Sequence, residues 1–223
     1  MSASAPLDST TVRRNPEIGY SWAVWDDLSA DPAVERLGEL PALPRVDFLH
    51  SVQVTRLALT LFDALADPLH LAPEGRDELA AAAFWHDSGQ AISEQRHHKH
   101  GYALIMALDL PQWHASRQLR VACIARYHRK QLPRGSHEGF RSLDTASRQR
   151  VRQLAGLLRI ADGLDYSHRA LVRTLRVSLD DPALRLAVQG PPEVVAELIR
   201  TRGKADLFRE TLRRRVILTL EGA

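Results

Sequence analysis

The chain has 223 residues with 30 basic against 27 acidic side chains, a net charge of +3, and 44% hydrophobic residues, enough for one large domain or one domain with a small appendage. The single cysteine, Cys123, excludes an intramolecular disulfide and a thiolate metal cluster. No apolar run approaches the ~18 residues of a membrane-spanning helix.

Residues 1–16 are rich in Ser, Thr and Ala, lack the apolar centre of a signal peptide and are expected to be flexible, in a soluble, cytoplasmic protein. Residues 17–40, with Trp22, Trp25, Leu28, Val34 and Leu37, suggest one or two short helices packed on the main body, and Pro41 and Pro44 then break the chain. From Val46 to Leu65 the residues His50, Val54, Leu57 and Leu61 share a helical face. A second helix is expected from about Arg76 to Asp87, striped by Leu79, Ala82, Ala83 and His86 and ended by Gly89. A polar segment leads to a helix opening at His97-His98-Lys99-His100 and running toward Pro111. A further helix covers about Ala115 to Lys130, with Val121, Ile124, Ala125 and His128 on one face. After a long loop from Pro133 to about Asp144, a helix from about Ser147 to His168 carries Val151, Leu154, Ala155, Leu158, Asp162 and Asp165.

Beyond Leu171 the period falls to about two. Val172, Leu175, Val177 and Leu179 read as one strand and Leu184, Leu186 and Val188 as a second, with the Asp181-Pro182 turn between them. Helices over about Pro191–Arg200 and Ala205–Leu212 lead to a closing strand over Val216–Leu220. The expected fold is mainly α: a helical core over residues 17–170, then a small α+β subdomain over residues 171–223.

Five residues from distant segments, His50, His86, Asp87, His128 and Asp162, fall on otherwise apolar faces. Buried imidazoles and carboxylates are costly unless paired or metal-bound, so their convergence predicts a divalent-metal site and phosphate chemistry. A sulfur-free N/O donor set suits Mn, Fe, Co, Ni, Zn or Mg, as one or two ions. Asp87 could ligate or bridge metals and position a nucleophilic water, and one residue of His97–His100 could complete a second position. The bland alternatives are a structural His86-Asp87 pair, a phosphate contact rather than a ligand at His128, and a surface loop position for His97. His98, Lys99 and His100 at a helix start, with Arg129 and Lys130, are candidate phosphate contacts; otherwise they are a solvated face. Of the basic residues only Lys99, Lys130 and Lys204 are lysine, and Arg is the better bidentate phosphate ligand, although a codon preference produces the same excess. Asp165 is expected to cap or salt-bridge within its helix. Surface roles are expected for His70, His114, His137 and His168, packing for Trp22 and Trp25, and an inert buried thiol for Cys123.

His50, His86-Asp87 and Asp162 resemble the HD-superfamily metal-dependent phosphohydrolases. More specifically, the stretches Ala81–Gly89, His98-Lys99-His100, Ala125–Lys130 and Leu157–Asp165 are similar to the C-terminal part of exopolyphosphatase/guanosine pentaphosphate phosphatase proteins. The similarity runs from about Val46 into the tail. It implies a helical HD core with metal at His50, His86, Asp87 and Asp162. Resemblance to two-metal HD phosphodiesterases, where a histidine four residues before a glycine is a ligand, adds His97 ahead of Gly101, with His128 as the sixth. Gln90 stands where those phosphodiesterases often carry a lysine. The acidic pair that follows the HD dipeptide in guanosine tetraphosphate hydrolases is replaced within Ser88-Gly89-Gln90-Ala91. No stretch resembles the ATPase-like domains that normally precede this module, so catalysis is expected from the HD site.

The resulting expectation is a metal-dependent phosphohydrolase, a phosphatase or phosphodiesterase. It would act on a nucleotide, nucleotide polyphosphate or other small phosphate ester through metal-activated water, with Asp87 and His128 as catalytic residues. A non-catalytic polyphosphate- or alarmone-binding regulatory module is the alternative, and a single-strand nuclease the third reading. A homodimer is compatible with the chain; a membrane partner is not expected.

Overall fold

A computed structural model of the chain describes residues 31–38, 41, 43–44 and 47–221. Trp22, Trp25 and Leu28 lie outside the described residues. The chain forms α1 (Pro32–Gly38), α2 (Phe48–Leu65), α3 (Gly75–Trp85), a 3-10 turn (Ser88–Ala91), α4 (His97–Met106), α5 (Ala115–Arg126), α6 (Glu138–Arg141) and α7 (Thr145–Gly163). The tail adds β1 (Thr174–Asp180), β2 (Ala183–Gln189), a 3-10 turn (Pro192–Val194), α8 (Val195–Lys204), α9 (Asp206–Leu212) and β3 (Arg215–Leu220). The expected mainly α fold with a small α+β tail is the one observed. No described helix is long and apolar enough to cross a membrane.

The helices start where side chains cap them. Asp47 accepts the His50 amide at the head of α2, and Asp144 accepts the Ser147 amide at the head of α7. Burial follows the sequence stripes: Val54, Leu57 and Leu61 of α2 and Val151, Ala155 and Leu158 of α7 are fully enclosed. Between them α3 presents Ala80–Ala83, whose small side chains let α2, α5 and α7 approach closely. In the tail, β1 and β2 pair antiparallel with Val177 opposite Leu186, and β3 joins β2 in parallel with Leu218 opposite Leu186. The buried residues Leu175, Leu184, Leu186, Val188 and Leu218 continue the same hydrophobic cluster as the helices.

α4 ends at Met106, short of Pro111, and α8 runs past Arg200 to Lys204; three other helix ends differ from expectation at the residues of interest. α3 stops at Trp85, so Asp87 sits outside the helix at φ −101°, ψ 2°, in the sparsely occupied bridge region. Gly89 is not a left-handed cap, since no described glycine has positive φ. Its missing side chain instead allows close approach, because a Cβ there would lie 2.0 Å from the His97 carbonyl oxygen and 2.4 Å from the Gly101 nitrogen. α5 ends at Arg126, leaving His128 in the following turn, and α7 ends at Gly163, leaving Asp165 and His168 beyond it. The segment expected as a loop before Asp144 contains the short α6.

Candidate functional site

Four histidines converge on one interior volume, each with its Nδ1 committed elsewhere. His50 Nδ1 faces Asp165 Oδ2 at 2.8 Å. His86 Nδ1 lies 2.7 Å from the Ala83 carbonyl, His128 Nδ1 2.7 Å from the Ala125 carbonyl, and His97 Nδ1 3.1 Å from the Glu94 carbonyl. Carbonyl and carboxylate oxygens only accept, so each Nδ1 carries a proton and Nε2 is the atom each ring has left to ligate with. These atoms meet: His50 Nε2 is 3.3 Å from His86 Nε2, and His97 Nε2 is 3.2 Å from His128 Nε2. Two lone pairs cannot hydrogen-bond without a cation between them. Two imidazoles sharing one ion at about 2.0–2.1 Å stand about 3.0–3.4 Å apart, so the residues present fit a divalent metal.

Two carboxylates complete the set. Asp87 Oδ1 lies 3.1 Å from His97 Nε2 and 3.5 Å from His128 Nε2, while its Oδ2 lies 3.6 Å from His86 Nε2 and 3.9 Å from His50 Nε2. Asp87 therefore faces both pairs. Asp162 Oδ1 is 3.8 Å from His50 Nε2. Potential ligand atoms group as His50–His86–Asp162 and as Asp87–His97–His128, each within 4.8 Å of one another. Gln90 donates its amide to Asp87 Oδ2 at 2.5 Å.

Burial would push the Asp87 carboxyl up, but His86, His97 and His128 hold it far below the usual carboxylate range. The Asp162 carboxyl is likewise pushed up by burial and held low by Lys204, His128 and His86. Burial lowers the imidazoles of His86 and His128 and keeps them neutral. His50 is the exception. Burial opposes its charging, yet the Asp165 hydrogen bond and the charges of Asp162, Asp165 and Asp87 raise it.

Around this centre lie residues with different expected roles. Asp165 does not cap its own helix; it reaches α2, and its second oxygen accepts the Ala170 amide at 2.7 Å. His168, expected at the surface, is half-buried and stacks on His50 with ring centroids 3.7 Å apart, its Nδ1 3.1 Å from Asp47 Oδ2. It holds φ 59°, uncommon for a non-glycine residue. His137 is also half-buried, its Nδ1 accepting from the Tyr127 hydroxyl at 2.8 Å. His70 and His114 are exposed. Lys204 of α8 pairs with Asp162 Oδ2. Sequence periodicity gives no sign of these contacts, which cross between elements.

Of the candidate phosphate contacts, Arg129 Nη1 lies 3.1 Å from His97 Nε2, and Lys99 and Lys130 are exposed. His98 is buried with no hydrogen-bond partner for its Nδ1 among the described residues, and burial together with His97, Arg129 and Lys99 pushes its imidazole down to about 4. His100 is half-buried on the first turn of α4.

A mainly α domain with six His and Asp donors on converging helix ends is thus a protein built around a candidate metal centre. Residues 36–198 match the family described as Ppx/GppA phosphatase, domain III, and the chain belongs to that family. Over 117 residues it is 29% identical to the guanosine-5'-triphosphate,3'-diphosphate pyrophosphatase of Pseudoalteromonas atlantica, a stretch covering 52% of this chain and 23% of that protein. The match thus spans under a quarter of that relative.

Proposed function

We propose that this chain is a divalent-metal-dependent phosphohydrolase with an HD-type centre, acting on a nucleotide polyphosphate or a related phosphate ester. The observation that carries this reading is the meeting of four imidazole Nε2 lone pairs around Asp87, with every Nδ1 already committed. Membership of a phosphatase family and similarity to a pyrophosphatase of a guanosine nucleotide support the substrate class.

In this reading His50, His86, Asp87, His97, His128 and Asp162 hold one or two ions. Such an ion, when bound, lowers the pKa of water and draws charge from a phosphoryl group. The chain's own residues do the rest. Asp165 and the carbonyls of Ala83, Glu94 and Ala125 fix each imidazole in the tautomer that leaves Nε2 free. Asp87, kept ionised, accepts a hydrogen bond from the attacking water and aims its oxygen at phosphorus. As the bond from the water oxygen to phosphorus forms, the bond from phosphorus to the leaving oxygen breaks, the water gives up its proton to solvent by way of Asp87, and the leaving group takes a proton from solvent. His128, buried and neutral, holds its place beside Asp87 rather than moving a proton. Lys99, Arg129 and Lys130, with His98 and His100, receive the negative charge of the substrate. Among the described residues, those from 47 to 170 carry the centre and those from 171 to 221 form the subdomain packed on it.

One observation favours a second reading. Lys99, Arg126, Arg129, Lys130 and Arg134 have no carboxylate partner among the described residues, as suits a polyphosphate- or alarmone-binding module. Phosphate release separates the two. The panel is nucleoside mono-, di- and triphosphates, guanosine tetra- and pentaphosphate, cyclic dinucleotides and polyphosphate, each with Mn, Mg, Co, Ni and Zn. Turnover of one class, abolished by chelator, supports the enzyme; tight polyphosphate binding without turnover, indifferent to chelator, supports the module.

A further inference from the structure

We propose that Lys204 is a catalytic residue that binds the phosphoryl group at this centre, a role resting on the phosphohydrolase reading above. Its ammonium pairs with Asp162 Oδ2, and the two side chains differ in exposure: Asp162 is 8% exposed and Lys204 24%. The charge therefore sits at the rim, between a buried carboxylate and solvent. An ammonium has three donors. Asp162 takes one, and among the described residues nothing else takes the other two. They suit the oxygens of a phosphate.

The fold places this lysine with more care than a surface ion pair requires. Gly163, next to Asp162, lies so close to α8 that a Cβ would stand 2.8 Å from Thr201 Cα. Thr201 is three residues before Lys204, one helical turn, so this contact aims Lys204 at Asp162. Arg159, 4% exposed, fixes the end of α8. Its Nε donates to the Lys204 carbonyl at 3.1 Å, its Nε and Nη2 grip both oxygens of Asp206 at 2.8 and 2.9 Å, and its Nη1 donates to the Tyr127 carbonyl at 3.1 Å. Tyr127 precedes His128, so one guanidinium ties Lys204 to the His128 turn.

Position gives the role. Arg129 lies against the His97–His128 pair, its Nη1 3.1 Å from His97 Nε2. Lys204 reaches the centre from α8 through its pair with Asp162. A phosphoryl group held at Asp87 would meet the charge of Arg129 beside His97 and that of Lys204 beside Asp162, the second supplied by the tail. The competing role is structural: Lys204 would merely hold Asp162.

The experiment compares K204M, K204Q and K204R with the unmodified full chain. It reads metal content by elemental analysis, melting temperature, orthophosphate affinity of the metal-supplemented protein by calorimetry, and kcat and KM on whichever substrate the unmodified chain turns over. Metal content is expected to stay the same in all three. Orthophosphate binding should weaken about 10-fold or more in K204M and K204Q, kcat should fall on the order of 10²-fold, and K204R should recover much of both. Should K204M melt early, K204Q carries the comparison. Unchanged orthophosphate affinity in the charge-removed variants overturns the proposal, as does loss of metal in them. If the unmodified chain releases no phosphate from any substrate, the phosphohydrolase reading fails by itself, and the orthophosphate comparison still decides whether Lys204 binds phosphate.

Discussion

Asp165 and His50, 115 residues apart in sequence, meet at 2.8 Å between Oδ2 and Nδ1, with both side chains almost fully buried. The contact sets which nitrogen of His50 bears hydrogen and locks the end of α7 to the start of α2. Because a ligand's orienting carboxylate governs both its tautomer and its basicity, Asp165 bears directly on the proposed metal centre.

Asp165→Asn should keep the fold and lower divalent-metal affinity about 10- to 100-fold. Competition titration against a chromogenic chelator measures this; an affinity equal to that of the unmodified chain would separate Asp165 from the centre.

The metal-free protein should lose stability in mild acid. Burial lowers the imidazoles of His86, His128 and His98 below the ordinary 6.5, so the unfolded chain binds protons that these folded rings refuse. Their contribution is present above pH 6.5 and lost as the pH falls below it. His50 has the opposite sign: its imidazole is raised, so its contribution is present below 6.5 and lost as pH climbs through the raised value. His137 is lowered too, by burial and by Arg126 and Arg134, so four groups stand against one and the acid side dominates. Urea midpoints of chelator-treated protein between pH 5 and 7.5 should rise with pH; a flat or falling profile contradicts the assignment.

Much of this site was legible beforehand, and the residues show why. His50, His86, Asp87, His128 and Asp162 betrayed themselves as polar residues on apolar stripes. Their neighbours His97 and His98 stood out as part of a basic run at a helix start. The partners Asp165, His168 and Lys204 were not legible, because their significance lies in contacts between elements. His168 lies past the true end of α7, where helical periodicity no longer applies, and Lys204 sits among other basic residues of the tail. The overextended helices share one cause: apolar and ligand residues continued the helical spacing for a few positions while the backbone had already turned.

Gly89→Ala should destabilise the protein by about 3 kcal/mol, the upper end for overpacking, because the added methyl meets backbone atoms of His97 and Gly101 that cannot swing aside. The same substitution should weaken metal binding by displacing His97. Chemical denaturation and metal titration on one sample check both effects.

Glu78→Ala should cost about 3 kcal/mol. Glu78 is 1% exposed and accepts from Arg120 at 2.6 Å, and its loss strands a guanidinium that is itself 13% exposed. Denaturant unfolding measures the loss, and a change below about 1 kcal/mol would show that the pair is effectively solvated.

Cys123 should resist thiol reagents in the folded protein. It is fully enclosed in α5, and burial pushes its thiol up to about 12, leaving almost no thiolate at neutral pH. A chromogenic disulfide reagent should react with one equivalent of thiol only after denaturant is added.

The central claim is that the His/Asp cluster hydrolyses phosphate esters with a divalent metal. The most direct measurement is phosphate release from guanosine pentaphosphate and the wider nucleotide panel by metal-loaded protein, with chelated protein and Asp87→Ala run in parallel. Release is expected from the loaded protein alone and is lost in both controls. Metal retained by elemental analysis but no phosphate released from any substrate would contradict it.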